Sequence, residues 1–276
     1  MGTSATISGA FTGINVAGAS ASYDVSGNTI GNSTNPNLRM GNLTTGANLS
    51  NVGTTFGIAT GTAIFNGILN QVNVPVAGTI GTVALPNTIR NASLNSSSAT
   101  ASIRGITSSG SPIISNNAIN NLTTQSTNNG LASTLLAGMG IFLNGNLAGT
   151  VVKNNTINTL SLANTTANGT NIAAIAIFGS STDVYANKIY DINNASTSVT
   201  AATPGTASGL FMRQPSGVMN FYNNMISLGN AQTSNTAFNG IWQQNSVVAY
   251  TLNAYFNTIN IEGTATAGAQ PSFLFK

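Results

Sequence analysis

The sequence predicts an all-β protein, a parallel β-helix of about seven to eight turns in which short strands stack into a coil. Three observations predict it. The 276-residue chain repeats a motif of the form apolar-x-x-Asn-x-Ile. A small residue followed by an apolar one precedes the Asn of each copy by 12 to 20 residues. After each copy comes a connection of variable length, rich in Ser, Thr, Asn and Ala.

The small-apolar pairs come first in each repeat: Gly13-Ile14, Gly67-Ile68, Gly105-Ile106, Gly140-Ile141, Ala174-Ile175, Gly209-Leu210 and Gly240-Ile241, with an eighth pair expected at Ser272-Phe273. Their spacings are 54, 38, 35, 34, 35, 31 and 32 residues, and the long first interval suggests a degenerate repeat around Gly57-Ile58. Runs of three to six residues rich in Ile, Val and Phe and bounded by Gly and Asn read as strands, and no pattern supports a helix of ten or more residues. The second run enters the motif, with Val25, Ala84, Ile114, Val152, Val184, Phe221 and Ala254 three residues before the Asn. The Asn column is Asn28, Asn87, Asn117, Asn155, Asn187, Asn224 and Asn257. Stacked at about 4.8 Å per turn, these residues form a ladder of amides at a corner, where Asn also tolerates left-handed backbone. Two residues on, Ile30, Ile89, Ile119, Ile157, Ile189, Ile226 and Ile259 point inward as a core stack. The variable connections, such as 123–137, 163–171 and 196–208, all fall on one side of the coil.

Composition excludes most chemistry. Charged residues make up 4 % of the chain, with seven Lys and Arg and four Asp and Glu, and there is neither His nor Cys. Triads built on His, Cys nucleophiles, disulfides and the usual zinc sites are therefore ruled out, and no metal or cofactor is expected. The seven cations form no cluster, so nucleic acid is not an expected partner. The longest apolar stretch, Ile172 to Phe178, is far short of a membrane span. A mean hydropathy of +0.17 with 41 % hydrophobic residues argues for an organised core over a solvated coil, despite 41 Asn and 30 Gly.

The Gly-Ile plus Val-x-x-Asn-x-Ile pattern resembles the right-handed parallel β-helix repeat of the pectin-lyase-like superfamily. The Asn/Thr/Ser/Gly-rich, charge-poor style is similar to the large repeat-containing surface proteins that bacteria export by the type IX route. The resemblance covers Gly13 to Lys276 and implies one domain over 1–276, cut from a longer secreted or cell-surface protein, since the chain stops in mid-repeat and no signal peptide heads it. Lyases, hydrolases, phage tailspikes and passive adhesins share this repeat, so it is specific for fold and weak for function.

Catalysis would rest on Asp24, Asp183, Asp191 and Glu262. Hydrolysis of a glycosidic bond needs two carboxyls roughly 5 to 9.5 Å apart. Asp24 and Asp183 share a register but lie at least four repeats apart, about 19 Å. Asp191 and Glu262 lie two repeats apart, about 10 Å, where the connections begin. The expectation is a non-catalytic structural or adhesive segment whose partners are further copies stacked end to end, or surface glycans. The alternative is a carbohydrate-binding or carbohydrate-cleaving module. Strand alternation places the second residue after each small residue on the outer surface: Asn15, Leu69, Thr107, Phe142, Ala176, Phe211, Trp242 and Leu274. Phe142, Phe211, Trp242 and Leu274 are accordingly the candidate sugar-stacking or docking stripe, unless the connections fold over them.

Overall fold

A computed structural model describes residues 9–18, 22–33, 38–40, 42–43, 56–57, 62–75, 77–128, 136–165, 169–198, 205–244, 249–264 and 272–276. The described residues form strands and no helix, wound as a parallel β-solenoid with three sheets. Sheet 1 stacks Gly9–Val16, Ala63–Asn70, Ser102–Gly110, Gly138–Asn146, Asn171–Phe178, Thr206–Arg213, Ala237–Gln244 and Phe273–Phe275. Sheet 2 stacks Tyr23–Val25, Gly78–Ile80, Ile113–Ser115, Thr150–Lys153, Thr182–Tyr185, Gly217–Tyr222 and Tyr250–Tyr255. Sheet 3 stacks Thr29–Ile30, Thr88–Leu94, Ala118–Thr124, Thr156–Leu162, Lys188–Asn194, Met225–Leu228 and Thr258–Ile261, with Leu38–Met40 also beside Thr88–Leu94.

The Ile stack is continuous. Ile30, Ile89, Ile119, Ile157, Ile189, Ile226 and Ile259 pair in register from turn to turn, and the five central ones are buried. The small column faces this stack. A Cβ on Gly140 would lie 2.6 Å from the Ala174 carbonyl oxygen and 2.6 Å from Cγ2 of Ile157, so a larger residue would have to displace the backbone of the next turn. Sheet 1 bends here. In one strand Ile172, Ala174, Ile175 and Ile177 join the main core, whereas Ala173 and Ala176 belong to a separate cluster on the outer surface.

Each ladder asparagine donates from Nδ2 to Oδ1 of the next, at 2.9 to 3.0 Å over all six steps from Asn28 to Asn257. From Asn87 onward the same Nδ2 also donates to a main-chain carbonyl of the preceding turn, as Asn155 does to Ile114 at 3.0 Å. In most rungs Oδ1 also accepts the main-chain N–H of the preceding asparagine. The amides are thus saturated, which permits their burial.

Four details of the repeat differ from expectation. Left-handed backbone falls one residue before the ladder: Gly27, Asn116, Asn154, Ala186, Asn223 and Phe256 have φ between 54° and 71°, and no ladder Asn does. In the second copy Ile80, not Ala84, is the inward residue, because Ile80 pairs with Val25 and Ile114. Ala84 is exposed in an inserted turn held by the Leu85 N–H donating to Thr82 Oγ1. The long first interval hides no extra turn. Phe11 pairs directly with Phe65, and Phe56–Gly57 forms a small antiparallel pair with Asn42–Leu43; Ile58 lies outside the described residues. Finally, the last sheet 1 strand is shifted by two residues: Phe273 pairs with Asn239 and Phe275 with Ile241. Leu274, not Ser272, therefore occupies the level of the small column.

Candidate functional site

The outer surface of sheet 1 carries the expected stripe, and it is closed. Thr107, Phe142, Ala176, Phe211 and Trp242 pair in register. Phe142 and Phe211 are buried and Trp242 is 8 % exposed. They form a second apolar cluster with Leu136, Met139, Ala173 and Ala176. Ala176 leaves a gap in the row, which Phe178, two residues further along the same strand, fills edge-on to Phe142 at 5.1 Å and to Phe211 at 5.7 Å. Phe211 meets Trp242 at 4.9 Å. The stripe is therefore corrected from an open stacking platform to a covered core. Leu274 leaves it altogether, being 59 % exposed and two positions out of register, and Lys276 takes its place with Nζ 5.2 Å from the Trp242 ring. Arg104 closes the other end, its guanidinium 5.3 Å from the Phe142 ring. Burial lowers the Arg104 pKa to about 10.

The open aromatic surface is on sheet 2. Lys153, Tyr185, Tyr222 and Tyr255 pair in register on its outer face. The rings of Tyr185 and Tyr222 stack at 4.6 Å and 7°, and those of Tyr222 and Tyr255 at 5.1 Å and 1°. Lys153 Nζ lies 5.8 Å from the Tyr185 ring, and Phe256, 82 % exposed, packs edge-on to Tyr255. A polar ladder runs alongside: Asn220 Nδ2 donates to Asp183 Oδ1 at 2.7 Å, and Asn253 Nδ2 to Asn220 Oδ1 at 2.8 Å. Desolvation, followed by the neighbouring phenols and the Asp183 carboxylate, holds the Tyr222 phenol above its ordinary value. Sequence reasoning missed this face. The signal was a Tyr two residues before the ladder Asn in three successive copies, Tyr185-Ala186-Asn187, Tyr222-Asn223-Asn224 and Tyr255-Phe256-Asn257.

The carboxylates do not converge. Asp24 accepts from Ser26, Asp183 from Asn220, and Glu262 from Asn260. Asp191 sits at φ 55° in a column with Asn91, Asn121 and Thr159, a bulge in sheet 3 absent from the turn of Met225–Leu228. One whole strand of sheet 3 separates the turn of Asp191 from that of Glu262. Lys188 lies with Nζ 5.2 Å from the Tyr190 ring on its own strand. An open hollow of about 440 Å³ between connections is lined by Asn193, Thr197, Gln232, Ser234 and Asn235 among others, and by no charged side chain. Among the described residues no three metal-ligating side chains gather.

Comparison with protein-family models, with curated proteins and with solved structures found no match. The class of protein that fold and surface define is a parallel β-solenoid with asparagine ladders.

Proposed function

We propose that this chain is a non-catalytic structural or adhesive segment of a secreted or cell-surface protein. The observation that supports it most directly is the dispersal of the four carboxylates over three turns, with Asp183 and Asp191 of the shared turn on different sheets, and three of the four engaged by a neighbouring Ser or Asn. A glycosidase or lyase needs opposed groups beside a cleft. The motif's resemblance to the right-handed pectin-lyase-like repeat, and a charge-poor style similar to that of type IX cargo, support the reading of a segment that works outside a bacterial cell. Its partners on this reading are further copies, associating end to end through open sheet edges, or glycans of a neighbouring surface. The test is light scattering after size exclusion, with negative-stain imaging across a dilution series. Filaments, or binding to a panel of polysaccharides without turnover, support the reading. Release of reducing ends or of unsaturated sugars overturns it.

A carbohydrate-binding module is the second reading, and the sheet 2 face favours it: Tyr255, 43 % exposed, and Phe256 stand beside the Asp183–Asn220–Asn253 ladder. Aromatic surface flanked by amides suits sugar hydroxyls and C–H faces. Retention on insoluble polysaccharide that Tyr255→Ala removes supports it, and retention that survives Tyr255→Ala combined with Phe256→Ala sinks it.

A further inference from the structure

Six tyrosines occur in the chain, and only Tyr185, Tyr222 and Tyr255 stand on successive turns in register. Their rings lie parallel within 7° and 1°, with centroids 4.6 and 5.1 Å apart. All three are reached by solvent, Tyr255 to 43 %. The other three are kept apart. Tyr23 accepts a hydrogen bond from Asn70, Tyr190 accepts one from Asn158, and Tyr250 pairs with Gly217. The chain has no Cys, so no disulfide can tie one turn to the next.

We propose that the Tyr185–Tyr222–Tyr255 stack is a site of oxidative cross-linking, at which a peroxidase-type oxidant joins the phenols of neighbouring turns into a dityrosine. The balance is simple. Hydrogen peroxide, through the peroxidase, takes one electron and one proton from each of two phenols and is reduced to two waters. The two phenoxyl radicals couple through the carbons ortho to their hydroxyls, forming one C–C bond. The hydrogens on those two carbons move to the phenolic oxygens as the rings regain aromaticity, so the product is the two tyrosines less two hydrogen atoms.

The fold supplies what such coupling ordinarily lacks. Two radicals must meet before either is quenched, and parallel strands hold these rings in contact continuously, which replaces a bimolecular encounter by an intramolecular one. Stacking also lets the radical be shared along the row, so that Tyr222, with a ring on each face, is the obligatory partner. Tyr185 and Tyr255 are two turns apart and cannot join each other directly. The bond would close a loop of a whole turn, tying the C-terminal turns together as a disulfide does elsewhere.

The test is treatment of the folded, dilute chain with a haem peroxidase and hydrogen peroxide, read by dityrosine fluorescence, intact mass and peptide mapping. The expected result is a monomer lighter by two hydrogens, in which the Tyr222 peptide is joined to that of Tyr185 or Tyr255, with a melting temperature raised by several degrees. Tyr222→Phe keeps the ring stack and the fold, which circular dichroism checks, and should cut the intrachain product at least tenfold. Tyr190→Phe should leave it unchanged. The proposal is overturned if folded chain gives only interchain products, if it gives none while a free tyrosine peptide couples in the same tube, or if Tyr222→Phe cross-links within the chain as well as the parent.

Discussion

The outer faces of sheets 1 and 2 are built on the same coil, each bearing an aromatic row in its C-terminal half, yet one row is core and the other surface. On sheet 1, Phe142, Phe178, Phe211 and Trp242 meet edge-on beneath Leu136, closed by Arg104 and Lys276. On sheet 2 the tyrosines stack face to face, and solvent reaches all three. What separates them is the connection that follows sheet 3. It is long and leads into sheet 1, whereas sheet 2 passes into sheet 3 through two or three residues at the asparagine corner in every turn but the one with the insertion between Ile80 and Thr88. A face is open or closed according to the length of chain beside it, and residue type follows: Phe and Trp where water is excluded, Tyr where a hydroxyl must stay wet.

Substitutions can break this contrast. Phe211→Ala removes a fully buried ring between Phe178 and Trp242 and should cost about 3–4 kcal/mol, read as a lowered urea midpoint at unchanged slope. Tyr222→Ala should cost about 1 kcal/mol. Equal losses would show that the two rows carry the same load. The corner beneath the open face should nonetheless be rigid. Asn155→Ala orphans the amide N–H groups of Asn117 and the Ile114 carbonyl, so about 3 kcal/mol should be lost in the same denaturation assay, against about 1 for Asn257→Ala at the end of the ladder.

A smaller effect of opposite sign is expected at Arg104. Its guanidinium is buried at the edge of the closed row with Nη2 unbonded, so Arg104→Met should raise stability by about 1 kcal/mol. The pH profile sharpens the same point. The Arg104 pKa is about 10 in the folded chain, below that of a free guanidinium, so above pH 10 the unfolded chain holds more protons and stability rises with pH. Tyr23 and Tyr222 have raised folded values, so they contribute a loss of stability as pH climbs past 10. In Arg104→Met the alkaline fall should therefore begin earlier and run steeper, as thermal melts from pH 9 to 11.5 would register. The smallest change in stability, under about 0.5 kcal/mol, is expected for Phe256→Ser on the open face, where little is buried.

Much of the architecture was legible because a solenoid writes its contacts as repeats. The Ile30-to-Ile259 stack and the Asn28-to-Asn257 ladder follow from one residue type recurring at one register, since neighbours in space are copies in sequence. Illegible features are those in which position matters and residue type does not. The left-handed column holds Gly27, Ala186 and Phe256 as well as Asn116, Asn154 and Asn223, so no single residue type marks it. Ile80 was hidden by an insertion that put Ala84 at the expected spacing, and Leu274 by a two-residue slip in a short last strand. Whether Phe211 is open could not be read from its strand at all, because the answer lies in what packs above it.

The head-to-tail ladder also has a mechanical meaning. Every turn grips only its two neighbours, through one amide step, one isoleucine contact and three short parallel ladders, so a pull on the chain is resisted by one interface at a time. Between Asn87 and Asn257 successive ladder residues are 30 to 38 positions apart. Each turn that peels away would therefore release roughly 100–130 Å of slack at about 3.4 Å per residue. Such a coil yields in steps, lengthening under load and dissipating work while the turns behind the break keep their shape.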